Sequence, residues 1–105
     1  MVELLNRLEN EQNPKVSITF TINYKTEFGQ SISILGDHPK LGNWSDTKAA
    51  SMKWHQGDQW KVTVRDLSKN EPFLYKYVVV DSNSKQVVRW EDGRNRICDP
   101  VYLNR

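Results

Sequence analysis

Three tryptophans stand next to turn-forming or polar residues, and this pairing indicates which chemistry the chain could perform. Trp44 ends the stretch LGNW, Trp54 lies in MKWHQGDQW, and Trp90 precedes the polar run EDGRNR. A flat aromatic ring can cover the apolar C–H face of a sugar, and directional polar groups can bind its hydroxyls. We therefore expect a surface that recognises a neutral sugar. The alternative is that these aromatics fill a core.

Polar partners for such a surface are also present. Glu91 and Asn95 follow Trp90, and Lys76 interrupts the otherwise apolar run FLYKYVVV. A lysine in such a strand must bring its amine to water or to a ligand, because an unsolvated ammonium is costly. Extension of the lysine along the sheet face to water is the alternative interpretation.

The residues that catalysis would require do not converge. His38 and His55 are the only histidines and Cys98 is the only cysteine, so no zinc-ligand spacing occurs. No glycine-rich phosphate loop or nucleophile elbow is present. Glu91 and Asp92 are adjacent, and in an extended chain their side chains would point in opposite directions. We expect no catalytic residue, no metal and no cofactor.

Composition excludes two classes of partner. The chain has 105 residues, with 15 basic and 13 acidic side chains and a net charge of +2, which favours neither nucleic acid nor a membrane surface. No apolar run reaches the ~18 residues of a membrane span. The single cysteine excludes an internal disulfide, and residues 1–15 lack the features of a secretory signal. We expect an intracellular protein.

Alternating apolar and polar residues predict an all-β fold. Successive strands are expected at KVSITFTIN, SISILG, WKVTVR, FLYKYVVV, KQVVRW and ICDPVYL, with turn clusters between them. The apolar run beginning at Phe73 is typical of a central strand, and Pro100 would confine the last strand to an edge or a bulge. This pattern favours an antiparallel sandwich or barrel over residues 15–105. We expect residues 1–14 to be a leader or linker, and the spacing of apolar residues over 2–12 could form a short helix.

The order of these pieces resembles a known family, the starch-binding domain or family 20 carbohydrate-binding module. The landmarks are VSITFTIN, the glycine of TEFGQS, ILGDHPKLGNW, WKVTV, FLYKY and RWEDGRNR. The resemblance implies an immunoglobulin-like antiparallel β-sandwich of seven to eight strands. It also implies binding of α-1,4-glucans, namely starch, glycogen, maltooligosaccharides and cyclodextrins.

Two carbohydrate sites follow from the resemblance. The first has a stacking platform and hydroxyl-binding side chains at Trp44, Lys76, Trp90, Glu91 and Asn95. The second would comprise Phe28, Trp54 and Trp60. Phe28 lacks the hydroxyl of the tyrosine that family members often carry, and Trp60 heads an alternating strand, so a core role is its alternative.

These expectations describe a binding module rather than an enzyme. We expect a monomeric domain of a larger protein that tethers a linked enzyme or protein to α-glucan, in the cytoplasm or a plastid. The alternative is a β-sandwich protein–protein interaction domain with a repurposed glucan surface, whose exposed aromatics would bind a partner.

Overall fold

Two antiparallel sheets organise the residues that the computed structural model describes, 14–103. The helix predicted over residues 2–12 lies outside this range. The strands are β1 Lys15–Asn23, β2 Gln30–Gly36, β3 Ala50–Ser51, β4 Lys53–His55, β5 Gln59–Ser68, β6 Phe73–Asp81, β7 Val87–Trp90 and β8 Arg96–Cys98. Two 3-10 segments, Pro39–Trp44 and Asp46–Lys48, lie between β2 and β3, and a one-turn helix spans Pro100–Leu103.

The pairing of the strands confirms the predicted antiparallel sandwich. One sheet has the order β1-β5-β4, and the other has the order β3-β2-β6, with β7 and β8 both paired to β6. In β1 the predicted alternation holds, since Ile18 and Phe20 are buried and Thr19 is exposed. No helix within residues 14–103 is long and apolar enough to cross a membrane.

Strand β6 is covered on both faces, which explains its nearly continuous apolar run. Tyr77 and Val79 belong to the core between the sheets. Val78 and Val80 point to the opposite, outer face, where they form a second apolar cluster with Leu35. Trp44, Ala49 and Val87 pack against that cluster. The five-stranded sheet is therefore covered on both faces at β6, and Trp44 packs on its outer face.

Two segments differ from the sequence prediction. The run ICDPVYL does not continue as a strand, because β8 ends at Cys98 and a helical turn begins at Pro100. Proline lacks an N–H for a strand ladder, and its fixed φ suits the first position of a helix. Trp54 falls between two of the predicted strands, and it lies on the short strand β4.

The turn that carries Trp44 depends on a left-handed backbone. Gly42, Asn43 and Trp44 have φ values of 80°, 48° and 63°. A bulky residue rarely adopts this region, so the surrounding contacts must hold it there. The backbone N–H of Asn43 donates to the His38 carbonyl at 3.1 Å, and that of Ser45 donates to Gly42 at 2.8 Å. Trp44 is thus fixed by its loop as well as by packing.

Substitution of Gly42 should test this constraint. A Cβ at Gly42 would lie 2.4 Å from the Lys48 carbonyl oxygen, in addition to the cost of the positive φ. We expect Gly42→Ala to lower the free energy of unfolding by about 2–4 kcal/mol, measured by urea denaturation. Gly57→Ala is the matched control, because Gly57 has φ 85° but open space around the added Cβ. Equal losses in the two variants would contradict the steric argument.

Candidate functional site

The candidate site is built where the edge strand leaves β6. Strands β7 and β8 lie on the same side of β6, opposite β2, and pair with Val78–Val80 and Phe73–Tyr75 respectively. Between them, residues 91–95 turn away from the sheet. Lys76 and Tyr77 therefore face a gap in the ladder, and their backbone groups and side chains need other partners there.

Glu91 occupies this gap and satisfies Tyr77. The Glu91 backbone N–H donates to the Tyr77 carbonyl at 3.1 Å. The Tyr77 backbone N–H donates to Oε1 of the Glu91 side chain at 3.3 Å. A carboxylate oxygen thus replaces the strand carbonyl that the edge no longer supplies.

Arg96 holds the same carboxylate from the other side. Its Nε donates to Glu91 Oε1 and Oε2 at 3.1 and 2.8 Å, and its Nη2 lies 2.6 Å from Oε2. The guanidinium carbon lies 5.0 Å from the centroid of the Tyr77 ring, a cation–π contact. Burial raises the pKa of Tyr77 to about 12, so its ring stays neutral beneath the cation. Such bidentate pairs are stronger than neutral hydrogen bonds and fix direction.

These contacts set the charge state of Glu91. Burial by itself would raise its pKa, but the hydrogen bonds from Arg96 and Tyr77 and the charges of Arg96 and Lys76 act in the opposite direction and prevail. The net pKa of Glu91 is therefore lowered, and that of Arg96 is raised by the same hydrogen bond. The pair is ionised at neutral pH.

Lys76 ties down the rest of the loop. Its Nζ donates to the carbonyl oxygens of Glu91, at 2.9 Å, and Gly93, at 2.5 Å. The Lys76 ammonium therefore replaces its lost water contacts with backbone carbonyls. It does not extend along the sheet face to open water. The Asn95 side chain is exposed on the same loop.

An aromatic platform adjoins this loop on the outer face of the sheet. The rings of Trp44 and Trp90 have centroids 6.3 Å apart and planes inclined by 36°. Trp90 is 40% exposed and stands opposite Val78 in the β6–β7 ladder, while Trp44 packs on the cluster that contains Val78. The structure thus groups Trp44, Trp90, Glu91 and Lys76, and Asn95 lies on the same loop as Glu91. Two inclined aromatic rings beside charged and amide side chains can stack on a ligand with an apolar face and bond its polar groups.

Comparison with known proteins identifies the family of this chain. The family model described as starch binding domain matches residues 15–101. The chain belongs to the starch-binding domain family. A glucoamylase of Neurospora crassa is 31% identical over 86 residues, which are 78% of this chain and 13% of that protein. The 4-alpha-glucanotransferase DPE2 of Oryza sativa subsp. japonica is 37% identical over 84 residues, which are 77% of this chain and 9% of that protein.

A solved structure shows the same fold. The family 20 carbohydrate-binding module of a maltotetraose-forming amylase from Pseudomonas saccharophila has a TM-score of 0.71 and 23% identity, covering 80% of this chain and 89% of that chain. The starch-binding domain spans only a small part, 13% and 9%, of the two curated relatives named above. Those relatives therefore carry other parts beyond the region they share with this chain.

The residues predicted for a second site on the starch-binding domain have three different settings. Phe28 is fully exposed, with 108% relative accessibility, in the turn before β2. Trp54 is 52% exposed, and its indole N–H donates to Asp58 Oδ1 at 3.0 Å. Trp60 is only 6% exposed, and its indole N–H donates to the Tyr24 carbonyl at 2.9 Å. A ring buried in this way cannot stack on a sugar, so Trp60 is a core residue.

Sequence reasoning did not identify Arg96 or Tyr77 as part of the first site. The available signal was the charge pair five residues apart in WEDGRNR, Glu91 and Arg96, on either side of a glycine turn. Among residues 14–103, no cluster of His, Cys, Asp or Glu side chains could hold a metal ion.

The ion pair predicts a dependence of stability on pH. Because the pKa of Glu91 is lower in the folded than in the unfolded chain, the unfolded state binds the proton first as the pH falls. The stabilisation is therefore complete above the ordinary glutamate pKa of about 4.3 and is lost as the pH falls through the folded value. We expect Glu91→Gln to weaken the fall of the free energy of unfolding between pH 7 and pH 3, which we call the acid slope. At pH 7 the variant should lose about 1–3 kcal/mol of that free energy, measured by urea denaturation.

Asp92→Asn is the control for this measurement. Asp92 is 94% exposed, and its ion pair with Arg89 spans 3.9 Å, so its loss should leave stability at pH 7 unchanged. An acid slope that persists in Glu91→Gln would show that another carboxylate carries it.

Proposed function

We propose that this domain is a non-catalytic module that binds α-1,4-glucans through Trp44 and Trp90. The inclined ring pair, with centroids 6.3 Å apart beside the loop of residues 91–95, is the observation that carries the proposal. The rings would stack on consecutive glucose units, while Lys76, Glu91 and Asn95 would bind hydroxyls. Membership of the starch-binding domain family supports the choice of ligand.

The contacts within the site define how each polar side chain could act. An ammonium has three donors, and Lys76 uses two of them on the loop, so one remains for a hydroxyl. The Glu91 carboxylate retains acceptor capacity beside Arg96, and its side chain is 22% exposed. Asn95 offers an exposed amide that donates and accepts. Stacking thus supplies most of the affinity, and the polar groups supply orientation.

The affinity should be modest. Each stacked sugar contributes about 1–2 kcal/mol, comparable to other partly exposed aromatic contacts. One site of this kind binds with a dissociation constant of about 1 μM to 1 mM. A second site at Phe28 and Trp54 would raise the apparent affinity for a polymer through multivalency by about 10²-fold. At this affinity the module would hold a linked enzyme or protein on polysaccharide. We place that role in the cytoplasm or a plastid.

Removal of one platform ring provides the principal test. We expect Trp90→Ala to abolish β-cyclodextrin binding at the first site, as measured by tryptophan fluorescence. Thermal unfolding should show that the fold of the variant is nearly intact. Trp54→Ala should keep this binding, because Trp54 lies on the other sheet. Undiminished binding by Trp90→Ala would refute the site, and unfolding of the variant would make Trp90 a core residue. In an amylose-containing native gel, parent protein should be retarded and Trp90→Ala less so.

Stoichiometry tests the second site. Phe28 and Trp54 lie in segments that meet where the Tyr24 N–H donates to the Asp58 carbonyl at 3.0 Å, so one ligand could contact both segments. We expect calorimetric titration with β-cyclodextrin to give two sites, one of them weaker because Phe28 offers no hydroxyl. Trp54→Ala should reduce the number of sites to one. A parent stoichiometry of one would restrict glucan binding to the platform.

A further inference from the structure

A polar cavity of about 190 Å³ opens on the outer face of the five-stranded sheet. Its apolar floor includes Val80 and Ala49, and polar side chains from four segments surround it. Ser33 lies on β2, Ser51 on β3, and Lys85 in the turn between β6 and β7. Asp46 and Thr47 of the second 3-10 segment complete the rim. The volume equals that of roughly six liquid waters at ~30 Å³ each, room for part of one sugar.

The polar groups around this cavity have no partners within the described chain. Ser33 is only 3% exposed, yet its hydroxyl makes no hydrogen bond with any side chain or backbone group of residues 14–103. No fully buried side-chain nitrogen or oxygen of these residues lacks a partner, so the Ser33 hydroxyl reaches the cavity and can bond a molecule there. Within the same residues, Asp46 and Lys85 also form no ion pair. The cavity thus presents hydrogen-bond donors and acceptors that are available to a ligand.

The cavity and the tryptophan platform rest on the same apolar cluster of the outer face. Lys76, Val78 and Val80 follow one another on the outer face of β6, two residues apart. Lys76 meets the loop of residues 91–95, Val78 stands opposite Trp90, and Val80 forms part of the cavity floor. At about 3.4 Å per residue, the cavity begins roughly 7 Å beyond the platform. Ala49, which packs on the same cluster as Trp44, lines it.

We propose that this cavity is a further subsite, which binds hydroxyls of a linear α-glucan whose neighbouring glucose units stack on Trp44 and Trp90. The inference rests on the proposed function and deepens it. Ser33 and Ser51 would donate to and accept from sugar hydroxyls, Asp46 would accept, and Lys85 would donate. The rim holds one acid and one base, so a neutral polyol suits it better than an ion. A linear chain can run from the platform towards the cavity along β6, whereas a closed cyclodextrin ring curves away from that line.

The test compares a linear chain with a closed ring. The double variant Ser33→Ala/Asp46→Asn and the parent would be titrated with maltotriose, maltoheptaose and β-cyclodextrin by calorimetry. We expect the parent to bind maltoheptaose about tenfold more tightly than maltotriose, equivalent to one or two additional hydrogen bonds. The double variant should lose that gain and bind β-cyclodextrin within about twofold of the parent. Asp66→Asn, which removes an exposed carboxylate on the other sheet, is the matched control.

Each outcome decides the matter. Undiminished maltoheptaose binding by the double variant would overturn the subsite, and so would an equal loss for β-cyclodextrin, since the change would then act on the platform. As a measurement free of mutation, the amide resonances of Ser33 and Ser51 should shift with maltoheptaose and stay still with β-cyclodextrin. If these resonances did not shift with either ligand, the subsite would also be refuted. A parent that binds none of the three sugars would refute the proposed function and the subsite with it.

Discussion

The backbone of Tyr77 imposes the constraint on which the candidate site depends. Its N–H and C=O lie where the edge strand departs from β6, and a buried amide without a partner is costly. Glu91 supplies both partners, one from its side chain and one from its main chain. The loop that carries the polar residues of the site is therefore not an appendage to the sheet. It completes the hydrogen bonding of the central strand.

Several contacts converge on this loop, and they make it rigid. Arg96 fixes the carboxylate of Glu91, and Lys76 fixes two carbonyls of the turn. Trp44 reaches the same face from a separate segment whose left-handed backbone is held by hydrogen bonds to His38 and Gly42. A surface organised before binding loses little conformational freedom when the ligand arrives, and this limits the entropic cost of association.

The sequence predicts those features that depend on local pattern. The alternation of β1, the central position of β6 and the turn after Trp90 all follow from residue periodicity and turn chemistry. The contact of Arg96 with Glu91 does not, because it requires β8 to return to β6 after the loop. The burial of Trp60 is also invisible locally, since an alternating strand leaves open which face is covered. Family resemblance indicates the positions of the site, while the structure shows what holds Trp44, Lys76 and Glu91 in place.

The pairing of charges around the loop has a consequence for how a ligand arrives. Glu91 and Arg96 neutralise each other at 2.6 Å, and Lys76 directs its ammonium into backbone carbonyls and not outward. Arg89 and Arg94 leave this part of the surface with a positive excess, but an uncharged polymer has no charge on which that field could act. The encounter with an uncharged polymer would then be governed by diffusion and shape, at a rate insensitive to ionic strength.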